Sequence, residues 1–385
     1  MSLNKDTLLA SIDKLEAYVE NNGYKGYEPF DGLSSYLNHL TFGNVFLQRI
    51  LQQTIRQSPV NLRPVAGVPK KESTKGRGYM ASGYLNMYKH TNKDSYKEKA
   101  DLCLDWLIRN KSPMYETYSW GNHFEYVSRS GKLPYLEPTI VWTSLIGLVF
   151  LDAFETFKSE KYLDVAKGIT DWILSVPREK TERGDCLSYV FFGQNSIHNS
   201  NMLGAAMLAR AGKILQRPDM LQVAKSAMEY SCSRQMKDGA WYYGDAEKNH
   251  WVDNFHTGYN LDGLKCYIEN TGDTDYRSNI RTGLEYYKKN FFESDGTPRY
   301  YNSRKYPLDI QCASQAITTL VYFSDMDEEC IEIAKKVAAW TIRNMQDRSG
   351  YFYYRIYPLF TAKAPMIHWG QATMYKGLTR LLPYL

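Results

Sequence analysis

Helical segments of two kinds alternate along this chain, and they come in pairs. One member of each pair is rich in small and apolar residues. The next, after a short polar turn, is amphipathic. Five such pairs align. They are "SGYLNMYKHTNKDSYKEKADLCLDWLIRN" from Ser82, "SLIGLVFLDAFETFKSEKYLDVAKGITDWIL" from Ser144, "NMLGAAMLARAGKILQRPDMLQVAKSAMEYSCSRQ" from Asn201, "YNLDGLKCYIENTGDTDYRSNIRTGLEYYKKNFF" from Tyr259 and "CASQAITTLVYFSDMDEECIEIAKKVAAWTIRNMQ" from Cys312. Equivalent points recur about every 50–60 residues, longer than the commoner helical repeats. A helix pair cannot bury its own apolar face, so such units stack on one another.

The small-residue segments lie at about 76–91, 137–157, 197–214, 255–271, 308–324 and 366–382. The amphipathic ones lie at about 94–110, 160–176, 218–236, 275–291 and 328–346, one fewer. The last small-residue segment, "WGQATMYKGLTRLL", ends without a partner, whereas the N-terminus has helices to spare near 5–21 and 33–57. If one of these packs as a sixth outer helix, the ring closes and no apolar end needs a cap. The expected fold is therefore all-α: one (α/α)6-toroid domain over residues 1–385, with residues 1–60 closing the ring. Gly-containing turns followed by aromatic residues, as in "QMKDGAWYYG", "ESDGTPRYY" and "MQDRSGYFYYR", predict short hairpin-like connections. An open helical array is the alternative, but the C-terminal segment has the character of an inner helix and not of a polar cap.

Composition narrows the function. The net charge of +5 is mild and unclustered, unlike that of a nucleic-acid binder. An N-terminal segment with acids inside its apolar pattern reads as an amphipathic helix, not a secretory signal. No run of eighteen apolar residues predicts a membrane span. The six cysteines are scattered singly, which fits free thiols in a reducing, cytoplasmic setting. No HExxH, P-loop, Gx[SC]xG elbow or zinc spacing occurs, so no metal or cofactor is expected. The aromatic content is high, with 32 Tyr, 15 Phe and 8 Trp, many in loops. Some of it is core filler. Side chains such as Trp241 also suit a cleft that stacks a flat amphipathic ligand.

In a parallel inner ring all six helix N-termini open on one face, with their unpaired N–H groups. The six entries are "STKGRGYM", "LPYLEPTIVW", "GQNSIHNSNM", "WVDNFHTGYN", "SRKYPLDIQ" and "APMIHWGQ". They carry Lys75, Arg77 and Tyr79; Glu137 and Trp142; Asn195, His198 and Asn199; Asp253, Asn254, His256 and Tyr259; Arg304, Tyr306 and Asp309; and His368, Trp369 and Gln371. His123 lies in the loop leading to the second entry. Any one entry reads as an ordinary N-cap. Capping does not call for Trp, Tyr or His, so the six together read as a functional rim.

The repeat plan over residues 60–385 and this aromatic, polar rim resemble the six-hairpin toroid superfamily of carbohydrate-active proteins. That group includes glycoside hydrolases, polysaccharide lyases and sugar epimerases. The resemblance implies an oligo- or polysaccharide substrate, including one that bears uronic acids. "DNFHTGYNLDGL" and "YPLDIQCASQAI" match no motif with an assigned role, so the chemistry is argued from residue types. Glycosidic hydrolysis needs two carboxyl groups with room for a water. Asp253 as acid and Asp309 as base start consecutive inner helices, and Glu137 is a third candidate. Proton abstraction beside a uronate carboxylate, giving elimination or C5 epimerisation, needs a His or Tyr base and a neutralised carboxylate. His198, His256, Tyr259 and Tyr306 suit the first task; Asn199, Asn254 and Arg304 suit the second. His368, Trp369, Gln371, Trp241 and Arg77 complete the expected sugar contacts. A non-catalytic glycan-binding protein would use the same aromatics. A terpene-cyclase-like toroid is disfavoured by the missing DxDD and DDxxD clusters.

Overall fold

Caps decide where the inner helices begin. Ser73, Thr139, Asp253 and Asp309 accept the backbone N–H of Gly76, Trp142, His256 and Gln311 through their side chains. Each such bond satisfies one orphan donor of a first turn. A left-handed residue ends four of these helices: Asn92, Lys158, Gln216 and Gly272. The N–H of each closes the last turn on the carbonyl four residues back.

The computed structural model describes residues 3–128, 131–193 and 196–385. Its α-helices are α1 (Lys5–Asn21), α2 (Val45–Gln57), α3 (Thr74–Thr91), α4 (Asp94–Arg109), α5 (Ile140–Phe157), α6 (Glu160–Ser175), α7 (His198–Leu215), α8 (Pro218–Cys232), α9 (Asn254–Thr271), α10 (Arg277–Phe291), α11 (Ile310–Tyr322), α12 (Glu329–Met345) and α13 (Thr373–Leu381). A π-helical turn, Ile367–Ala372, leads into α13.

The odd-numbered helices from α3 to α13 each pack on the next, and α13 packs on α3, which closes an inner ring. These helices are buried almost all round. The amphipathic α4, α6, α8, α10 and α12 each lie outside their predecessor with one apolar stripe inward. α1 takes the sixth outer place against α13. It buries Leu8, Ile12, Leu15 and Val19 completely, each worth about 1.5–3 kcal/mol of transfer free energy.

A repeated contact shows that α1 belongs to the outer ring. Gly239 follows α8 at φ +96°, and a Cβ there would lie 2.2 Å from the Thr282 carbonyl oxygen of α10. Gly350 follows α12 at φ +104°, and its Cβ would lie 2.3 Å from the Lys14 carbonyl oxygen of α1. In both, a turn glycine lets the chain press against the backbone of the next outer helix. Glutamines support the same two junctions. Gln235 donates to the Asn279 carbonyl of α10, and Gln346 donates to the Ser11 carbonyl of α1.

Two details depart from the sequence expectations. The segment expected as one helix near 33–57 breaks into two 3-10 turns, Asp31–Ser34 and Tyr36–Thr41, before α2. Phe42 and Gly43 both take positive φ there, and Asn44 starts α2 as a fresh cap. α5 is also long and apolar enough to cross a bilayer, with a mean hydropathy of 1.6. It is a largely buried inner helix of the ring, and its apolar surface is covered by its neighbours. The six cysteines are all buried and free.

Candidate functional site

At the rim, side chains divide by their position after the cap. In α7 and α9 the first residue faces the outer layer. His198 opens α7, and its Nε2 lies 2.9 Å from Asp245 Oδ1. Its Nδ1 lies 3.3 Å from Ser231 Oγ on α8. Asn254 opens α9 and accepts the Tyr287 hydroxyl of α10 at 2.9 Å. The second and third residues, roughly 100° and 200° further round the helix, turn to the ring axis. They are Lys75 on α3, Trp142 on α5, Phe255 and His256 on α9, and His368 and Trp369 on the π-helical turn.

These side chains form a closed circuit. The His256 and Phe255 ring centres are 3.9 Å apart, and Phe255 and Trp369 are 5.4 Å apart. Trp369 to His368 and His368 to Trp142 are each 5.8 Å. The Lys75 ammonium sits 4.4 Å from the Trp142 ring and 5.6 Å from that of Tyr79. Tyr79 and Tyr259, one turn deeper, share a hydroxyl–hydroxyl hydrogen bond of 3.0 Å. Gln311 Nε2 donates to the Tyr259 oxygen at 2.9 Å. Tyr259 and His256, 6.4 Å apart, complete the loop. Beside the circuit, Phe30 approaches Trp369 at 6.1 Å and carries the Arg56 guanidinium 4.1 Å from its ring centre.

Two histidine–carboxylate pairs stand on this circuit. Asp253 Oδ2 lies 2.7 Å from His256 Nδ1 and accepts Trp251 Nε1–H at 2.9 Å, while Oδ1 caps the helix. Tyr243 packs 4.5 Å from the His256 ring. With Nδ1–H turned to the carboxylate, His256 presents Nε2 away from it, and the side chain is 19% exposed. Glu28 Oε2 lies 2.5 Å from His368 Nδ1. Glu28 Oε1 accepts the His368 backbone N–H at 3.3 Å. Burial pushes the fully buried Glu28 carboxyl up, but His368, His123 and the Ser73 hydroxyl hold it below the usual carboxylate range. Burial lowers His368 against the opposing pull of Glu28. His368 Nδ1 and Nε2 and Glu28 Oε2 are all buried without a well-aligned hydrogen bond among the described residues, so the two side chains meet as an ion-pair contact. Burial also pushes Lys75 down to about 7 and His123 down to about 4. It raises the Tyr79 and Tyr259 hydroxyls, so both remain protonated donors at neutral pH.

No protein-family model and no curated protein matches the chain. Solved structures do match in shape. One is the cellobiose 2-epimerase of Bacillus thermoamylovorans B4167, with TM-score 0.63 and 10% identity over 83% of this chain and 90% of that one. A GH76 α-mannanase of Bacteroides thetaiotaomicron has TM-score 0.64 and 12% identity, covering 81% and 86%. A possible GH105 member from Salmonella enterica has TM-score 0.65 and 13% identity, covering 99% and 95%. The fold is that of the six-hairpin (α/α)6 toroids.

The toroid brings together only part of the expected rim. His256, Tyr259, His368 and Trp369 stand on the axial circuit, and Asp253 supports His256. Asp309 stands behind it: fully buried, it accepts Gln311 N–H, Trp369 Nε1–H and Arg355 Nε–H. Those bonds occupy both carboxylate oxygens. Glu137 is buried beside Tyr115, and burial raises its carboxyl. Asn199, at the second position of α7, is buried and its Oδ1 has no partner among the described residues. His198 and Asn254 point outward, as described above.

Arg77 pairs with Glu72 and lies 3.7 Å from the Tyr24 ring centre, facing the outer layer. Trp241 is buried and donates to the Ser231 carbonyl. Gln371 bonds the Phe352 backbone N–H and carbonyl. Arg304 is exposed and packs on Tyr301. Tyr306, partly buried, precedes a cis proline. Asn195 lies outside the described residues. Sequence reasoning missed Glu28, which lies outside every inner-helix entry. Phe255 was passed over because it reads as core.

Proposed function

We propose that this toroid interconverts sugars by moving a proton at the carbon beside a carbonyl, as a sugar epimerase or isomerase. The observation that carries this reading is the pair of histidines on one circuit, His256 hydrogen-bonded at Nδ1 by buried Asp253 and His368 within ion-pair distance of buried Glu28. A histidine so held keeps one tautomer and offers Nε2 as base, or as acid once protonated. Two such groups suit removal of a proton by one and its return by the other. The protonated Tyr79–Tyr259 pair is a fitting donor set for the enediolate oxygen that forms between the two steps.

Hydrolysis by Asp253 and Asp309 fits less well. Each carboxylate already accepts three hydrogen bonds, so neither is placed to hold a water or protonate a leaving oxygen. Among the similar folds, the Bacillus protein is a cellobiose 2-epimerase and another is a D-mannose isomerase. Both activities are of the chemistry proposed here.

The test is incubation of the purified protein in D2O with a panel of neutral and uronic reducing sugars. NMR would then show deuterium at the carbon beside the carbonyl and a new epimer or ketose. New reducing ends would instead report hydrolysis, and an unsaturated-uronide absorbance band would report elimination. Either result without deuterium exchange overturns the reading.

A further inference from the structure

Lys75 is 4% exposed, and its ammonium makes no hydrogen bond or ion pair with any described residue. Its three N–H donors find no acceptor among the described side chains around it. Two aromatic faces hold it, Trp142 at 4.4 Å and Tyr79 at 5.6 Å. The carboxylate that acts on it is Glu28, whose oxygens are engaged by His368. Lys376 opposes its charge from deeper in the ring. Arg77 and Arg355 are paired, with Glu72 and Asp309, whereas the Lys376 ammonium lies 5.2 Å from the Tyr79 ring without an ion pair among the described residues. Lys75 is thus a circuit amine without an ion pair among the described residues, only partly protonated at neutral pH because burial brings it down to about 7, and positioned by rings that supply no acceptor.

We propose that Lys75 is a specificity residue that takes the carboxylate of an acidic sugar. This rests on the reading that the axial circuit holds the sugar. A carboxylate oxygen supplies the missing acceptor for Lys75 and offsets its charge. A monoanion fits better than a phosphate, because Glu28 and Asp253 border the same circuit and a second negative charge would face them. The aromatic faces beside the ammonium suit the apolar faces of the sugar ring.

The probes are glucuronate, galacturonate, glucose, galactose and glucose 6-phosphate. Each is titrated calorimetrically into the full-length protein and into its Lys75→Met and Lys75→Arg variants, with folding verified by thermal melting. The wild type should bind a uronate about tenfold or more tightly than its neutral counterpart. Lys75→Met should lose most of that preference, and Lys75→Arg should restore part of it. Equal or tighter binding of the neutral sugar, tightest binding of the phosphate, a preference that survives in Lys75→Met, or no sugar binding at all would each overturn the proposal. Deuterium exchange on neutral sugars with no uronate preference would sink Lys75 alone. A Lys75-dependent uronate preference without exchange would sink the epimerase reading alone.

Discussion

His256 Nδ1 lies 2.7 Å from Asp253 Oδ2, so the residue that caps α9 also orients a histidine in its first turn. One carboxylate serves the helix through Oδ1 and the ring through Oδ2. The two roles can be separated by mutation. Asn caps nearly as well as Asp, so Asp253→Asn should change the thermal midpoint little. It should lower kcat about a hundredfold or more by releasing the His256 tautomer, and shift the pH–rate profile. His256→Gln should lose as much or more. Wild-type turnover in either variant would remove the pair from the mechanism.

Asp309 and Arg355 should behave in the opposite way. Their ion pair is buried, and Trp369 and the α11 cap depend on the same carboxylate. Arg355→Met would strand that charge at a cost of about 3–5 kcal/mol. Chemical denaturation should show the loss, while turnover per folded molecule should fall far less than for His256→Gln. A selective loss of kcat in a stable variant would return Asp309 to the chemistry.

The histidines beside Glu28 make stability depend on pH. His123 titrates near 4 in the fold against 6.5 for the free side chain, because burial disfavours its charge. The unfolded chain therefore takes up a proton first as pH falls. The contribution is complete above pH 6.5 and is lost as pH drops toward 4. His368 is shifted in the same direction. At most about 3 kcal/mol is involved for His123. A His123→Gln variant should show a shallower fall of the thermal midpoint over this range; an unchanged slope would refute the assignment.

Ring closure can be tested at Gly350. An alanine there meets both an unfavourable φ and the Lys14 backbone, at a cost of about 2 kcal/mol or more. Gly23→Ala is the control, since it has positive φ but nothing within 4 Å of its Cβ. It should cost only about 1 kcal/mol. Equal thermal shifts for the two would mean that the Gly350 contact does not hold α1 in the ring.

Much of the fold was legible because its cause is local and repeated. A small-residue helix has to be buried all round and an amphipathic one on a single side, and six of the first with five of the second imply a ring seeking one more helix. The rim was legible as a place, because helix N-termini are marked by their caps. The duties of its residues were not. His198 and Asn254 look as chemical as His256 in the sequence, yet the first position after the cap turns outward and the third turns in.

The sequence by itself determined the architecture and the face that carries the polar aromatics, because periodicity and capping are written within a few residues of where they act. Only the tertiary structure decided which side chains meet on the axis. Glu28 and His368 are 340 residues apart and pair only because the N-terminal segment folds across the rim of the closed ring. Lys75 becomes a buried amine without an ion pair among the described residues only once Trp142, Tyr79 and the π-helical turn surround it. Burial and partnership give these groups their chemistry, and both are properties of the closed ring.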